Sequence, residues 1–390
     1  VAAIVPEREP MKLRFAHQLR GIAALAVVIH HFGGIFFSPA VRSIVGVPTR
    51  FDTARPGYVD HVMAPGVGGF LYGVFGVAVF FLISGFVIPI SLRGLATGPF
   101  LVRRWFRIYP VYWCCLLISL SMYVASASYW GTALSDRISG AYLWRNLSLL
   151  HSAQGIPSLD FVCWSLAVEV KFYLVVALVF AGGRNAHRVM ATCVGFVVVG
   201  TCAAYVATHG MRPETFFAYL VSDMRFLSFM FLGSLFYLLY GELTSTAAIG
   251  YGITIYAMFL AIALFYEGRI FGPLALNYSY ALVVFAACYR LRASFGRNRL
   301  LDVIADISFP LYLVHSLIGY VGMPILMDLG VPYTGAWMAA LVATLAVAWL
   351  VHVTVELPAN AFGKRVSSRP LRHLSGIWRD SASPPRPSSD

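Results

Sequence analysis

The chain has 390 residues, 59% of them hydrophobic and 12% charged, with a formal net charge of +12. That is about half the charge of an ordinary soluble domain and more apolar surface than one water-soluble core can bury, which leaves an all-α polytopic membrane protein in a lipid solvent. A strongly basic soluble chain would point to nucleic acid. Here the cations sit in short segments beside apolar runs, where topology and anionic head groups account for them, and no nucleic-acid partner is expected.

A crossing helix needs about 20 apolar residues. Windows of that size give ten candidate spans: Ala16–Phe37, Phe70–Ser91, Ile108–Ser128, Phe161–Gly182, Val189–Thr208, Ser222–Gly241, Ala248–Glu267, Pro273–Arg290, Val303–Met327 and Gly335–Glu356. An even count puts both termini on one side. With that side cytoplasmic, inner segments carry 20 Lys and Arg residues and outer segments 8 (Arg42, Arg50, Arg55, Arg137, Arg145, Arg212, Arg225 and Arg269), with Lys171 inside a span. The positive-inside rule favours this orientation.

Residues 1–15 then form a cytoplasmic segment, 16–358 one integral membrane domain, and 359–390 a tail that is first basic, then rich in Ser and Pro and disordered. Val1–Arg14 is too polar for a signal peptide, so the first span acts as its own insertion signal. The six cysteines, Cys114, Cys115, Cys163, Cys193, Cys202 and Cys288, lie in or beside spans without zinc-like spacing and read as small buried residues; no metal is expected. Two outer segments, Ser38–Gly69 and Tyr129–Asp160, are longer than a turn requires. The aromatics of the second (Tyr129, Trp130, Tyr142, Trp144) suit an interfacial belt and sugar stacking equally.

Ionisable groups inside a bilayer are costly and therefore candidates for function. On the first span Arg20 stands eleven residues before His31. At about 100° per residue the two share one helix face, about 16 Å apart along the axis. That suits an elongated substrate with its anionic end at Arg20 and its reactive end at His31. His30 points about 100° away and reads as a packing histidine.

In the second span, Phe80–Pro89 carries Ser84, a Gly85 that permits close helix approach, and Pro89. Next come Arg103, Arg104 and Arg107 with Trp105 among them. Guanidinium forks suit phosphates and tryptophan suits an adenine, so an acyl-coenzyme A is a natural guest; an ordinary positive-inside anchor is the competing reading.

The fourth span carries Trp164, Ser165, Glu169 and Lys171. Counting from its outer edge puts Glu169 at about the depth of His31, where a carboxylate would orient the imidazole. The alternative pairs Glu169 with Lys171 or an arginine to hold the bundle. The ninth span carries Pro310, which breaks the hydrogen-bond ladder, with Tyr312 and His315 after it. His315 reads equally as structural and as functional.

Six of these segments, in order, resemble the membrane-bound acyltransferase family 3: Arg20 with ten residues before His31, Phe80–Phe86, Arg103–Pro110, Trp164–Glu169, Ile307–His315 and Glu356–Pro358. The resemblance implies transfer of an acyl group, often acetyl, to cell-envelope polysaccharides, lipid-linked sugars or glycosylated metabolites. It also implies a bacterial cytoplasmic (inner) membrane and no tightly bound cofactor, with acyl-coenzyme A as donor substrate. Val170 and Lys171 depart from the family's usual second glutamate and glutamine, and the extra esterase-like domain of some members is not seen.

The mechanism to be tested has Arg103, Arg104, Arg107 and Arg20 holding the donor phosphates. His31 acts as general base on an acceptor hydroxyl, Glu169 orients it, and Ser84, Trp164, Ser165, Tyr312 and His315 support the site. A variant in which His31 carries the acyl group remains open. From another class, a multi-span transporter or flippase of a lipid-linked sugar would show the same spans and buried charges.

Overall fold

The structure, a computed structural model, describes residues 13–49, 51, 55–62, 69–134, 138–149, 151–181, 185–210, 216–240 and 243–368. Arg8, Lys12, Arg50, Arg137, Arg184, Arg212 and the tail from 369 onward lie outside the described residues. What is described is helical, and nine of its helices are long and apolar enough to cross a membrane.

In chain order the helices are α1 (Arg14–Gly33), α2 (Pro39–Ile44), α3 (Gly57–Val62), α4 (Tyr72–Leu92), α5 (Thr97–Trp130), α6 (Gly140–Leu147), α7 (Cys163–Ala181), α8 (Ala186–Gly210), α9 (Phe216–Ser222), α10 (Met224–Leu239), α11 (Ser245–Glu267), α12 (Pro273–Arg290), α13 (Arg299–Asp306), α14 (Ser308–Asp328), α15 (Tyr333–Val351) and α16 (Leu357–Ser368). The eighth proposed span is also a helix, α12, of 18 residues, but it carries Asn277, Tyr278, Ser279 and Tyr280 and is not among those nine. Asn277 accepts from the Leu71 backbone N–H and donates to the carbonyls of Gly69 and Pro273, fastening the start of α4 to α12.

The bundle is built around α14, whose residues from Ser308 to Val321 are all buried. A helix apolar on every side needs neighbours on every side, and α1, α5 and α15 supply them. α1 also packs on α4 and α13, and α4 on α10 and α12. The α4–α10 crossing depends on two glycines. An added Cβ at Gly85 would fall 1.9 Å from the Met230 carbonyl oxygen, and one at Gly233 2.2 Å from that of Leu82. Ser234 Oγ seals the crossing by donating to the Gly85 carbonyl at 3.0 Å. Peripheral helices turn apolar side chains outward, among them Leu178, Val199, Ile249, Ile253 and Val342, as a lipid-facing surface does.

Three boundaries differ from the sequence reading. α5 runs 34 residues and starts at Thr97, so Arg103, Arg104 and Arg107 stand on a helix and not in a loop. The break in the ninth span falls at Ile307, between α13 and α14. Pro310 sits in the first turn of α14, where its missing N–H leaves no bond unmade. Disorder was expected from 359, but the chain is helical through Ser368. α16 is held against α5 by Phe362 on Phe106 (ring centroids 5.1 Å apart) and by Arg103 Nε donating to Ser367 Oγ at 2.7 Å.

Candidate active site

Arg20 and His31 emerge at opposite ends of one face of α1, as their spacing requires. Around Arg20 lies a cavity lined by Val77, Phe80, Phe81 and Ser84 of α4, Ser165, Leu166 and Glu169 of α7, and Ser308, Phe309 and Tyr312 of α14. The charged and phenolic neighbours of the Arg20 guanidinium are Arg107, Glu169, Glu356 and Tyr173. Glu169 Oε1 accepts from Tyr173 at 2.7 Å and from Ser84 at 3.2 Å. Glu356, only 3% exposed, meets Arg107 at 3.5 Å and His352 Nδ1 at 2.8 Å. It closes a π-helical turn, His352–Glu356, between α15 and α16. Such turns often mark functional positions because they re-aim one side chain without breaking the helix.

The three basic residues of α5 divide their roles. Arg107 points to Glu356, and Arg103 to Ser367. Arg104 lies over the rings of Phe100 and Tyr173, about 5.5 Å from each, with a buried Nε that has no hydrogen-bond partner. Trp105 is exposed and stacked on Tyr109, ring centroids 5.5 Å apart.

At the other end of α1, His31 is half-buried and its Nδ1 lies 2.7 Å from the hydroxyl of Tyr320, a residue of α14 that the sequence reading missed. The His315 ring stands 4.7 Å from it, edge to face. His315 is fully buried; its Nδ1 lies 2.9 Å from the Tyr312 carbonyl and 3.2 Å from that of Leu311, and its Nε2 has no partner. His30 packs over Gly73, where an added Cβ would fall 2.3 Å from its ring.

The proposed contact between Glu169 and His31 is not formed. Glu169 sits beside Arg20, at the far end of α1 from His31. The depth count failed because it took the start of the fourth span as the membrane edge, whereas Leu159 and Asp160, before α7, are already buried at 0% and 1% exposure. Nor does Glu169 pair with Lys171, which forms an ion pair with Asp223 and donates to Ser152 Oγ at 2.8 Å. Ser165 Oγ lies 2.7 Å from the Tyr312 hydroxyl, and Trp164 packs on Phe226 at 5.0 Å and Phe81 at 6.2 Å.

A buried carboxylate, Asp160, is tied to the residue next to His315. It accepts from Ser119 Oγ of α5 at 2.8 Å, from Ser316 Oγ beside His315, and from the Val162 backbone at 3.4 Å. Burial pushes its carboxyl up to about 6, against these donors, which pull it down. The following residue, Phe161, packs edge-on against Tyr320 at 5.2 Å. Earlier in the same segment, His151, held by Ser158 at 2.8 Å, is pushed down to about 4 by burial and then by the Lys171 charge.

Together these features define a multi-pass helical membrane protein with a guanidinium–carboxylate cluster at one end of a helix face and paired imidazoles at the other. Residues 14–353 match the acyltransferase 3 family, described as an acyltransferase domain, and the chain belongs to it; the protein is a membrane-bound acyltransferase. It is similar to Acyltransferase MdmB of Streptomyces mycarofaciens, 26% identical over 347 residues, 82% of this chain and 86% of the relative. It is also similar to Nodulation protein 10 of Rhizobium leguminosarum bv. viciae, 25% identical over 322 residues, 77% of this chain and 86% of the relative. No solved structure matches.

Proposed function

We propose that the protein moves an acyl group, in the first instance acetyl, from acyl-coenzyme A to a hydroxyl of a carbohydrate-type acceptor at a bacterial inner membrane. The acceptor class is an envelope polysaccharide, a lipid-linked sugar or a glycosylated metabolite. The observation that carries this reading is the common α1 face of Arg20 and His31, with the cavity beginning at Arg20 and reaching Tyr312, whose ring is 6.0 Å from His315. An elongated donor bound at its phosphates by Arg20, Arg104 and Arg107 would lay its arm along that face and deliver its thioester to the imidazoles. Trp105 offers an exposed indole face for the adenine. Charge-assisted bonds to phosphate hold the donor, and the imidazoles supply proton transfer where the thioester ends. The curated relatives support acyl transfer as the chemistry.

Release of free coenzyme A from acetyl-coenzyme A by the purified protein in lipid, with envelope extract added, tests this directly. Wild type and His30→Ala release it, and His31→Ala does not. Absence of release by wild type with every extract overturns the reading.

A further inference from the structure

The two histidines at the reacting end are held in opposite tautomers by their neighbours. Tyr320 is 1% exposed, and among the described residues its hydroxyl has no hydrogen-bond partner but His31 Nδ1. A buried phenol O–H left without an acceptor is costly, and a phenol is a stronger donor than an imidazole N–H. Tyr320 therefore donates, His31 Nδ1 accepts, and the His31 proton resides on Nε2. For His315 both partners of Nδ1 are backbone carbonyls, which only accept. Its proton therefore resides on Nδ1, and Nε2 carries a bare lone pair, buried and unpartnered. A catalytic imidazole commonly has its second nitrogen fixed by a carbonyl in this way, because the same bond stabilises the imidazolium.

We infer that His315, not His31, takes the proton from the acceptor hydroxyl, and that His31 donates its Nε2–H to the thioester carbonyl oxygen. The inference rests on the acyl-transfer reading above and divides the labour within it. A donor and an acceptor nitrogen on rings 4.7 Å apart match the two needs of adding a hydroxyl to a carbonyl. The acceptor oxygen forms its bond to the acyl carbon while its proton passes to His315 Nε2, and the oxyanion is held by His31 Nε2–H. The carbon–sulfur bond then breaks, and the coenzyme A thiolate takes the proton from His315. Ester and free thiol leave, and both imidazoles return to their starting tautomers. Tyr312 is well placed to guide the thioester, since it lines the cavity with its ring 6.0 Å from that of His315.

Glutamine and asparagine distinguish the roles. Glutamine at 31 places an amide N–H near the Nε2 position and can still donate. Glutamine at 315 can accept a hydrogen bond there but cannot hold a proton. Asparagine at 315 keeps a donor for the Leu311 and Tyr312 carbonyls and deletes Nε2. Coenzyme A release from acetyl-coenzyme A with envelope extract, and the thermal unfolding midpoint in detergent, are measured for wild type, His31→Gln, His31→Ala, His315→Gln and His315→Asn. We expect His31→Gln to stay at least about 10-fold above His31→Ala, and both 315 variants to fall about 100-fold or more. His315→Asn should still unfold within a few degrees of wild type. The reverse ranking, with His31→Gln as inactive as His31→Ala and His315→Gln active, overturns the division of labour alone. Activity that merely follows the unfolding midpoint assigns His315 to structure and overturns it too. An inert wild type overturns the transfer reading and this inference with it.

Discussion

The two ends of α1 use opposite electrostatics. At the Arg20 end charges are abundant: Arg107 meets Glu356, Glu169 accepts from two hydroxyls, and Arg20 lies beside both carboxylates, with Arg104 Nε left without a hydrogen-bond partner. At the His31 end the rings against His31 are imidazoles and a phenol, and the buried His315 Nε2 beside it has no hydrogen-bond partner. A cluster of guanidinium groups suits an anion, whereas a bare imidazole lone pair in a dry interior is costly and suits a group that brings its own proton. The contrast matches the proposed division of a binding end at Arg20 and a reacting end at His31.

The largest effect should come from separating those tasks kinetically. His31→Ala is expected to lower kcat by about 10²–10⁴-fold while leaving the KM for acetyl-coenzyme A near wild type. A rise in KM alone would show that His31 belongs to binding and would erase the distinction between the ends.

Next in size is a pair of opposed pH effects in the segment that leads into α7. Asp160 ionises in the fold at about 6 against an ordinary 3.8, so its stability contribution is full below pH 3.8 and is lost as pH rises through 6. His151 ionises at about 4 against an ordinary 6.5, so its contribution is present above pH 6.5 and is lost as pH falls through 4. Each amounts to about 3 kcal/mol over its window. Between pH 4 and 6 the two oppose each other, and the wild-type unfolding midpoint should be nearly flat. Asp160→Asn should expose a fall on acidification, and His151→Gln a rise. Parallel midpoints for all three proteins would remove both assignments.

Smaller again is the binding end. Arg20→Ala removes one charge-assisted contact worth about 1.5–3 kcal/mol, so the KM for acetyl-coenzyme A should rise about 10- to 100-fold, with Arg20→Lys between it and wild type. An unchanged KM would place the donor elsewhere.

The bundle was largely legible in the sequence, because a bilayer demands continuous apolar runs and tolerates few exceptions. The shared face of Arg20 and His31 was legible for a similar reason, since helical periodicity fixes it within a single element. What lay between elements was not. Tyr320 is 289 residues from His31, and no spacing rule links them. Asp160 looked like a loop acid because nothing in the residues around it announces that the segment before α7 sinks into the bundle. The extension of α5 by about three turns was hidden because part of its packing surface lies on α16, where Phe362 and Gly363 meet Phe106, and that helix was read as tail.

Glu169 is where the two ends were confused, and it offers the finest test. Glutamine keeps its size and can still accept from Tyr173 and Ser84, but removes a negative charge beside Arg20. If Glu169 belongs to the binding end, Glu169→Gln makes that end more positive, and the KM for an anionic donor should fall by a few-fold while kcat is nearly unchanged. If it oriented His31, losing the charge would lower kcat by about 10- to 100-fold, as loss of an orienting partner does, and leave KM alone. Steady-state rates against acetyl-coenzyme A concentration for this one variant distinguish the cases. A fall in kcat would mean that the carboxylate seen beside Arg20 reaches the imidazoles during turnover, and that the separation of the ends belongs to the resting protein only.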